Sequence, residues 1–219
     1  LEAAKRNTTL DQVALGYYGR YLDVTPGNAS VRTQIAYQVA QGGDAKGAME
    51  LIQKGVDHDP SNLALWEQLG GYAFQAGAKA NAERTDTTVT MSPEAAPLFR
   101  KAIEAYQHLF DAKGSETPAA QLRSVISAYL LLGEGENAVA FGQKAVQAHP
   151  NDPDLWWALA DAMNRSGHVP EALQALDRVT ALKPDYPMAA LRRGEWLLAA
   201  DRLADATAAL KALAASDPT

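Results

Sequence analysis

The chain has 219 residues, 47% of them apolar, and its 26 acidic against 20 basic side chains give a net charge of −6. That apolar content suffices for one large domain or a repeat array, and the acidic balance gives no electrostatic reason to expect a nucleic-acid or anionic-membrane partner. Cysteine is absent, which excludes disulfides, thiolate zinc sites and a thiol nucleophile; it suits an exported protein, as it also suits helical repeats of any compartment.

No run approaches the length of apolar sequence that spans a membrane as a helix. Pro26, Pro60, Pro150, Pro184 and Pro218 are spaced by 34, 90, 34 and 34 residues, the long gap being two periods and 22 residues more. Taken in order, 10–28 reads as half a unit with a helix over 10–23 and Ala14 on it. The unit 29–62 places Ala36 on a first helix, Gly43 at the turn and Ala48 on a second helix.

The third segment, 63–116, has Trp66, Leu69 and Gly70 on its first helix and Gly77 at the expected turn. The second-helix alanine, Ala102, then comes 25 residues after Gly77 instead of five. The excess, 78–97, is polar, breaks the helical period and holds a β-favouring run over 85–90. Ser92-Pro93-Glu94 predicts a helix start, with serine as cap, proline in first position and an acid in the first turn. An extended second helix over 93–112 follows from this. The insertion reads as a tolerated surface loop or as a contact arm that docks on a partner or neighbouring subunit.

The unit 119–152 carries Gly133 at the turn and Ala138 beyond it, but Ile126 where the other units have a small residue and Gly142 where they have a large apolar one. The unit 153–186 is the clearest. Trp156, Leu159, Ala160 and Met163 form one face of a first helix; Gly167 stops it; Pro170 sits where a second helix starts; Ala172, Leu176 and Val179 mark that helix. The last unit, 187–219, repeats the pattern with Gly194 and Ala206, and has Asp201 in place of the turn glycine. The chain starts inside a unit, without methionine, and stops just after Pro218 with no polar capping helix. Neighbouring residues, or another chain over the ends, are therefore expected.

The second-helix alanine thus recurs six times, at Ala14, Ala48, Ala102, Ala138, Ala172 and Ala206. The pattern W-x-x-L-G/A, then glycine, alanine, a large apolar residue and proline resembles the tetratricopeptide repeat, best at Trp66-x-x-Leu69-Gly70 and Trp156-x-x-Leu159-Ala160. Arg32, Leu122 and Ala190 depart at the tryptophan position. The resemblance implies an all-α fold: a right-handed α-solenoid of about five helix–turn–helix repeats plus a leading half repeat, in one domain over 1–219, with the insertion in the third unit. The composition looks bacterial.

Signs of chemistry are few. His58, His149 and His168 fall in turns and are expected to be solvated; neither they nor His108 has a second ligand at helical spacing. There is no phosphate cradle, no G-x-S-x-G, no H-E-x-x-H and no evident acid–base carboxylate pair. No catalytic residue, metal or cofactor is predicted, and the chain reads as a non-enzyme. An enzyme would need its catalytic part outside these residues.

What the resemblance implies instead is a concave groove lined by each unit's first helix. Its positions carry over to Tyr37 and Gln41; to Glu67, Phe74 and Gln75; to Arg123 and Ser127; to Trp157, Asp161, Asn164 and Arg165; and to Leu191 and Glu195, with Arg192 at the edge. Trp157 follows Trp156 by 100° around the helix, so it either faces the groove or packs over the adjacent unit near Leu191. Lysine and asparagine are missing at the positions where some family members clamp a peptide carboxylate. The expected function is a non-catalytic scaffold or adaptor that holds a peptide or helix of a partner protein. The alternative is a structural subunit that self-associates or joins a larger assembly through its ends, convex face and insertion.

Overall fold

The computed structural model describes residues 16–17, 19–22, 24–84, 91–186 and 188–216. Among them are ten α-helices: α1 (Ala29–Gln41), α2 (Ala45–His58), α3 (Leu63–Ala82), α4 (Ala95–Lys113), α5 (Ala119–Leu131), α6 (Gly135–Ala148), α7 (Pro153–Arg165), α8 (Val169–Leu182), α9 (Ala189–Ala199) and α10 (Leu203–Ser216). The fold is the all-α succession of helix hairpins that the repeat predicts. Of the half repeat expected over 10–28, residues 10–15, 18 and 23 lie outside the described residues, as does the run 85–90, while 16–17, 19–22 and 24 are helical. The chain divides into two compact units, Leu1–Ala112 and Lys113–Thr219.

The local chemistry of starts and stops is that of short-looped helix pairs. Asn28, Asp44 and Asp152 cap α1, α2 and α7 by accepting the backbone N–H groups of Val31, Gly47 and Leu155 at 3.1, 2.8 and 2.9 Å. Gly43, Gly133 and Gly167 take left-handed φ values of 89, 74 and 84° at the intra-hairpin turns. Asp201 replaces the glycine in the last hairpin and still adopts φ 57°, since aspartate tolerates this region better than most side chains.

Gly77 behaves differently. It is no turn: α3 runs through it to Ala82, because the sequence beyond it, Ala78-Lys79-Ala80-Asn81-Ala82, is mostly strong helix former. The glycine is used for close packing instead, as a Cβ there would lie 3.1 Å from the Phe99 ring. The insertion therefore begins as helix. Ser92 donates its backbone N–H to Asn81 Oδ1 (3.1 Å) and accepts Glu94 N–H on Oγ (3.3 Å), and α4 starts at Ala95, two residues later than the sequence predicts.

In the first unit, α1 packs on α2, α2 on α3, and α1 on α3. Ala36, Ala48, Ile52, Val56, Leu65, Trp66, Leu69 and Ala105 form one buried cluster. The tryptophan position ties three of the units to the turn before them. Trp66 and Trp156 each donate Nε1–H to the carbonyl six residues earlier, of Pro60 and of Pro150, at 2.9 Å. Arg32, the departure at this position, does the same: Nη2 donates to Pro26 O at 3.0 Å and Nη1 to Leu51 O at 3.1 Å. It is buried for that purpose, at 4% exposure, and burial lowers its pKa.

In the second unit, α5 packs on α6, α6 on α7, α5 on α7, α7 on α8, α8 on α9, and α9 on α10. Leu122, Val125, Ile126, Leu155, Leu159, Leu176 and Val179 are fully buried between them. Three hydrogen bonds tie successive hairpins at one sequence separation of 32 residues: His149 Nε2–H to Thr117 O (2.8 Å), His168 Nε2 with Glu136 Oε1 (3.0 Å), and Tyr186 O–H to Asp154 Oδ1 (2.8 Å). Two histidines expected to be merely solvated are thus inter-hairpin ties. In the first unit, His108 stacks on Trp66 with ring centres 4.2 Å apart.

Candidate binding site on the second unit

The site grows out of the start of α7. Asp152 caps the helix and Pro153 occupies its first position, which fixes the rotation of everything that follows. Trp156 is held toward Pro150 by its N–H, with the Arg178 guanidinium 5.6 Å from its ring centre. Trp157, one step round, is half-buried and turns to the next hairpin. Its ring stacks on Tyr186 (centres 5.1 Å apart, planes 30° apart) and leans on Trp196 (6.5 Å, 32°). The sequence offered two orientations for Trp157, and the structure combines them: it packs over the adjacent hairpin, on Tyr186 and Trp196, while one part stays open.

Tyr186 is anchored from behind. Its hydroxyl donates to Asp154, whose other oxygen accepts Arg123 Nη1–H at 3.0 Å. Burial raises the Tyr186 pKa, and the hydrogen bond and charge of Asp154 raise it further, so the phenol stays a donor at all physiological pH. The relay Arg123–Asp154–Tyr186 joins α5, α7 and the α8–α9 turn. In front of it lies a cavity of 360 Å³ lined by Asp154, Trp157, Lys183, Tyr186, Met188 and Arg192.

Of the other sequence-derived groove residues in this unit, Asp161 and Arg165 pair along α7 at 2.9 Å and Arg192 and Glu195 along α9 at 2.7 Å. Asn164 and Leu191 are half-buried, and Ser127 is exposed. Tyr186, Trp196, Asp154, Lys183 and Met188 were not reached from the sequence. Tyr186 precedes a first helix and Trp196 lies on its packing side, so neither occupies a groove position of the repeat. The 32-residue separation shared by three tyrosine or histidine ties is the signal that points to Tyr186.

The first unit presents a different face. Tyr37 and Gln41 on α1 are exposed, as is Gln75 on α3, while Glu67 is half-buried. Phe74 meets Phe99 edge-on (5.5 Å, 68°) and so packs toward α4. Burial and then the charge of Glu67 push the Tyr106 pKa up to about 12; Tyr72 is raised by burial and by Tyr37. A larger cavity, 670 Å³, lies where the α1–α2 turn meets the end of α3. Among the described residues no aromatic side chain lines it, and Lys79, one of its cations, is already engaged by Gly43 O (2.8 Å) and Glu83 (4.0 Å). Size alone does not make it the better site.

Among the described residues no group of three or more His, Asp or Glu side chains could hold a metal ion, and no helix is long and apolar enough to cross a membrane.

Comparison with known proteins bears on the architecture. A search of curated proteins finds no significant match. Among solved structures the chain is similar to YrrB, described as a tetratricopeptide-repeat protein with an unusual peptide-binding site (14% identity, TM-score 0.64, 92% of each chain covered). It is also similar to MamA from Desulfovibrio magneticus RS-1 (12%, 0.63, 84% of this chain and 91% of that one) and to TTC0263 from Thermus thermophilus (19%, 0.53, 90% and 97%). At these identities the likeness is one of fold. Two sequence profiles of the tetratricopeptide repeat match residues 92–153 and 129–193, and with the helix hairpins on either side of those residues they place the chain in the tetratricopeptide-repeat family.

Proposed function

We propose that this chain is a non-catalytic interaction scaffold that holds a peptide or helix of a partner protein against the first-helix faces of its repeats. The observation that carries this reading is the half-open aromatic platform of Trp157 on Tyr186, braced by Asp154 and Arg123 and bordered by charged side chains. Aromatic and arginine side chains on rigid elements are the composition of binding hot spots, and fixing them in advance lowers the ordering cost of association. A peptide-binding site described for YrrB, at 14% identity, is a precedent for such a use of the fold. The groove residues of the second unit, Arg123, Ser127, Trp157, Asp161, Asn164, Arg165, Arg192 and Glu195, form the primary face; Tyr37, Gln41, Glu67 and Phe74 belong to the first unit's face, where Phe74 contributes mainly to packing.

The test is affinity capture with the wild-type chain and with a Trp157→Ala/Arg165→Glu variant, with circular dichroism checking that the variant keeps its helices. Capture of a protein by the wild type and its loss from the folded variant is the expected result. Equal capture by both sinks the groove reading and returns the chain to the alternative, an assembly component held by its other surfaces.

A further inference from the structure

We propose that the cavity in front of Tyr186 receives an aromatic side chain of the partner protein that has an acidic residue beside it, the ring lying against Trp157, Tyr186 and Met188 and the carboxylate meeting Lys183 and Arg192. This rests on the reading of the second unit as a partner-binding face and specifies what that face selects.

Size comes first. A cavity of 360 Å³ is at the small end of ligand sites, suited to one large side chain. Its walls are flat and fixed: the Tyr186 ring is pinned by its hydroxyl on Asp154 and by the Trp157 stack. Offset stacking on such a surface is the geometry aromatic rings prefer.

Met188 adds an independent sign. It is the residue before α9, its φ is 66°, and it is 56% exposed. An unbranched apolar residue held in the left-handed region, without burial to offset it, is the kind of local strain found at ligand-contacting positions. Its thioether is an adaptable partner for an aromatic ring.

Charge decides what accompanies the ring. Asp154 is already met by Arg123 and by the Tyr186 hydroxyl, so the one carboxylate in the lining does not call for a cation. Lys183 has no ion-pair partner among the described residues; it lines the cavity, with its ammonium 5.8 Å from the Tyr186 ring centre. Among the described residues Arg192 is paired with Glu195 of its own helix alone, at 47% and 44% exposure, a contact that exchanges for another carboxylate at little cost. The lining is therefore short of one negative charge.

The experiment uses the full chain and two probes of equal ring size and opposite charge, 3-phenylpropionate and phenethylamine, with binding read from the four tryptophan indole N–H signals by NMR. The expected result is a saturable shift of the Trp157 and Trp196 signals, at least tenfold tighter for the acid. Lys183→Glu/Arg192→Glu should reverse that preference while leaving the Trp66 signal in place. Equal or stronger binding of the amine to the wild type, no reversal in the variant, or no shift at Trp157 with either probe overturns the proposal. Peptides selected by display separate it from the broader reading. Peptides that bind, are lost with Trp157→Ala/Arg165→Glu, yet lack an aromatic–acid pair and ignore Lys183→Glu overturn the pocket chemistry and leave the groove standing.

Discussion

The hairpins α3–α4 and α5–α6 fill the same space with opposite assignments. In α3–α4 the small residue is on the first helix: Gly70 lies under the Tyr106 ring of the second, so close that a Cβ would come within 2.6 Å of it. In α5–α6 the large residue is on the first helix. Ile126 is fully buried and stands opposite Gly142, where a Cβ would sit 3.5 Å from Ile126 and 3.0 Å from Leu159. Each departure in the unit 119–152 is thus the answer to the other. The hairpin requires one large and one small partner at this crossing, and is indifferent to which helix supplies which.

The pairing of large with small is broken most directly at Gly142. Gly142→Leu should destabilise the chain by about 3 kcal/mol, since the added side chain meets Ile126 and Leu159 in a filled core. Ile126→Ala alone should cost a similar amount, about 3 kcal/mol, through the cavity it leaves. If the two positions compensate, the double variant will be more stable than the sum by about 1–3 kcal/mol in urea unfolding. Strict additivity would show that the pair is coincidental.

On the other hairpin the large partner is a tyrosine, and both members can be probed. Gly70→Ala gains helix propensity but drives a Cβ into a buried ring, for a net loss of about 2 kcal/mol. Tyr106 itself links packing to pH. Its pKa is pushed up to about 12 by burial and Glu67, while the unfolded chain ionises near the ordinary value of about 10. The unfolded state therefore loses its proton first. The stabilisation is complete below about pH 10 and is lost as pH rises toward about 12, by about 2 kcal/mol. Tyr106→Phe should flatten stability over that interval; an unchanged slope would place the titration elsewhere.

The hairpin count, the turn at Gly133 and the helix faces of 153–186 were legible because they depend on spacing alone. What was not legible depends on which atoms finally meet. Arg32 departs in side-chain type but not in what it does, since its guanidinium aims an N–H at a proline carbonyl as the Trp66 and Trp156 indoles do, whereas Leu122 and Ala190 have no such donor. Gly77 read as a stop, yet helix-forming residues after it carried α3 onward and its missing Cβ was used against Phe99. That longer hairpin also explains Phe74: α4 brings Phe99 against it, and a groove position becomes a packing one. In the candidate site the sequence led to Trp157 and Arg123 but missed Tyr186 and Trp196, since their value comes from the next hairpin closing over α7.

The smallest expected effect is the most discriminating, because it concerns the same repeat position as Gly70. A Cβ on Gly194 would also come too close to its neighbour, 2.5 Å from Leu210 Cδ2. Here, though, the obstacle is the isobutyl head of a flexible side chain on α10, its Cγ at 2.7 Å included, and Leu210 is only half-buried. It can rotate away where the Tyr106 ring, with Leu109 and Phe99 on its own helix fully buried, has nowhere to go. Gly194→Ala should therefore change stability by no more than about 0.5 kcal/mol, with the propensity gained by alanine offsetting the repacking. A loss at Gly194 as large as that at Gly70 would mean that close helix approach, rather than the rigidity of the facing side chain, decides where the repeat demands glycine.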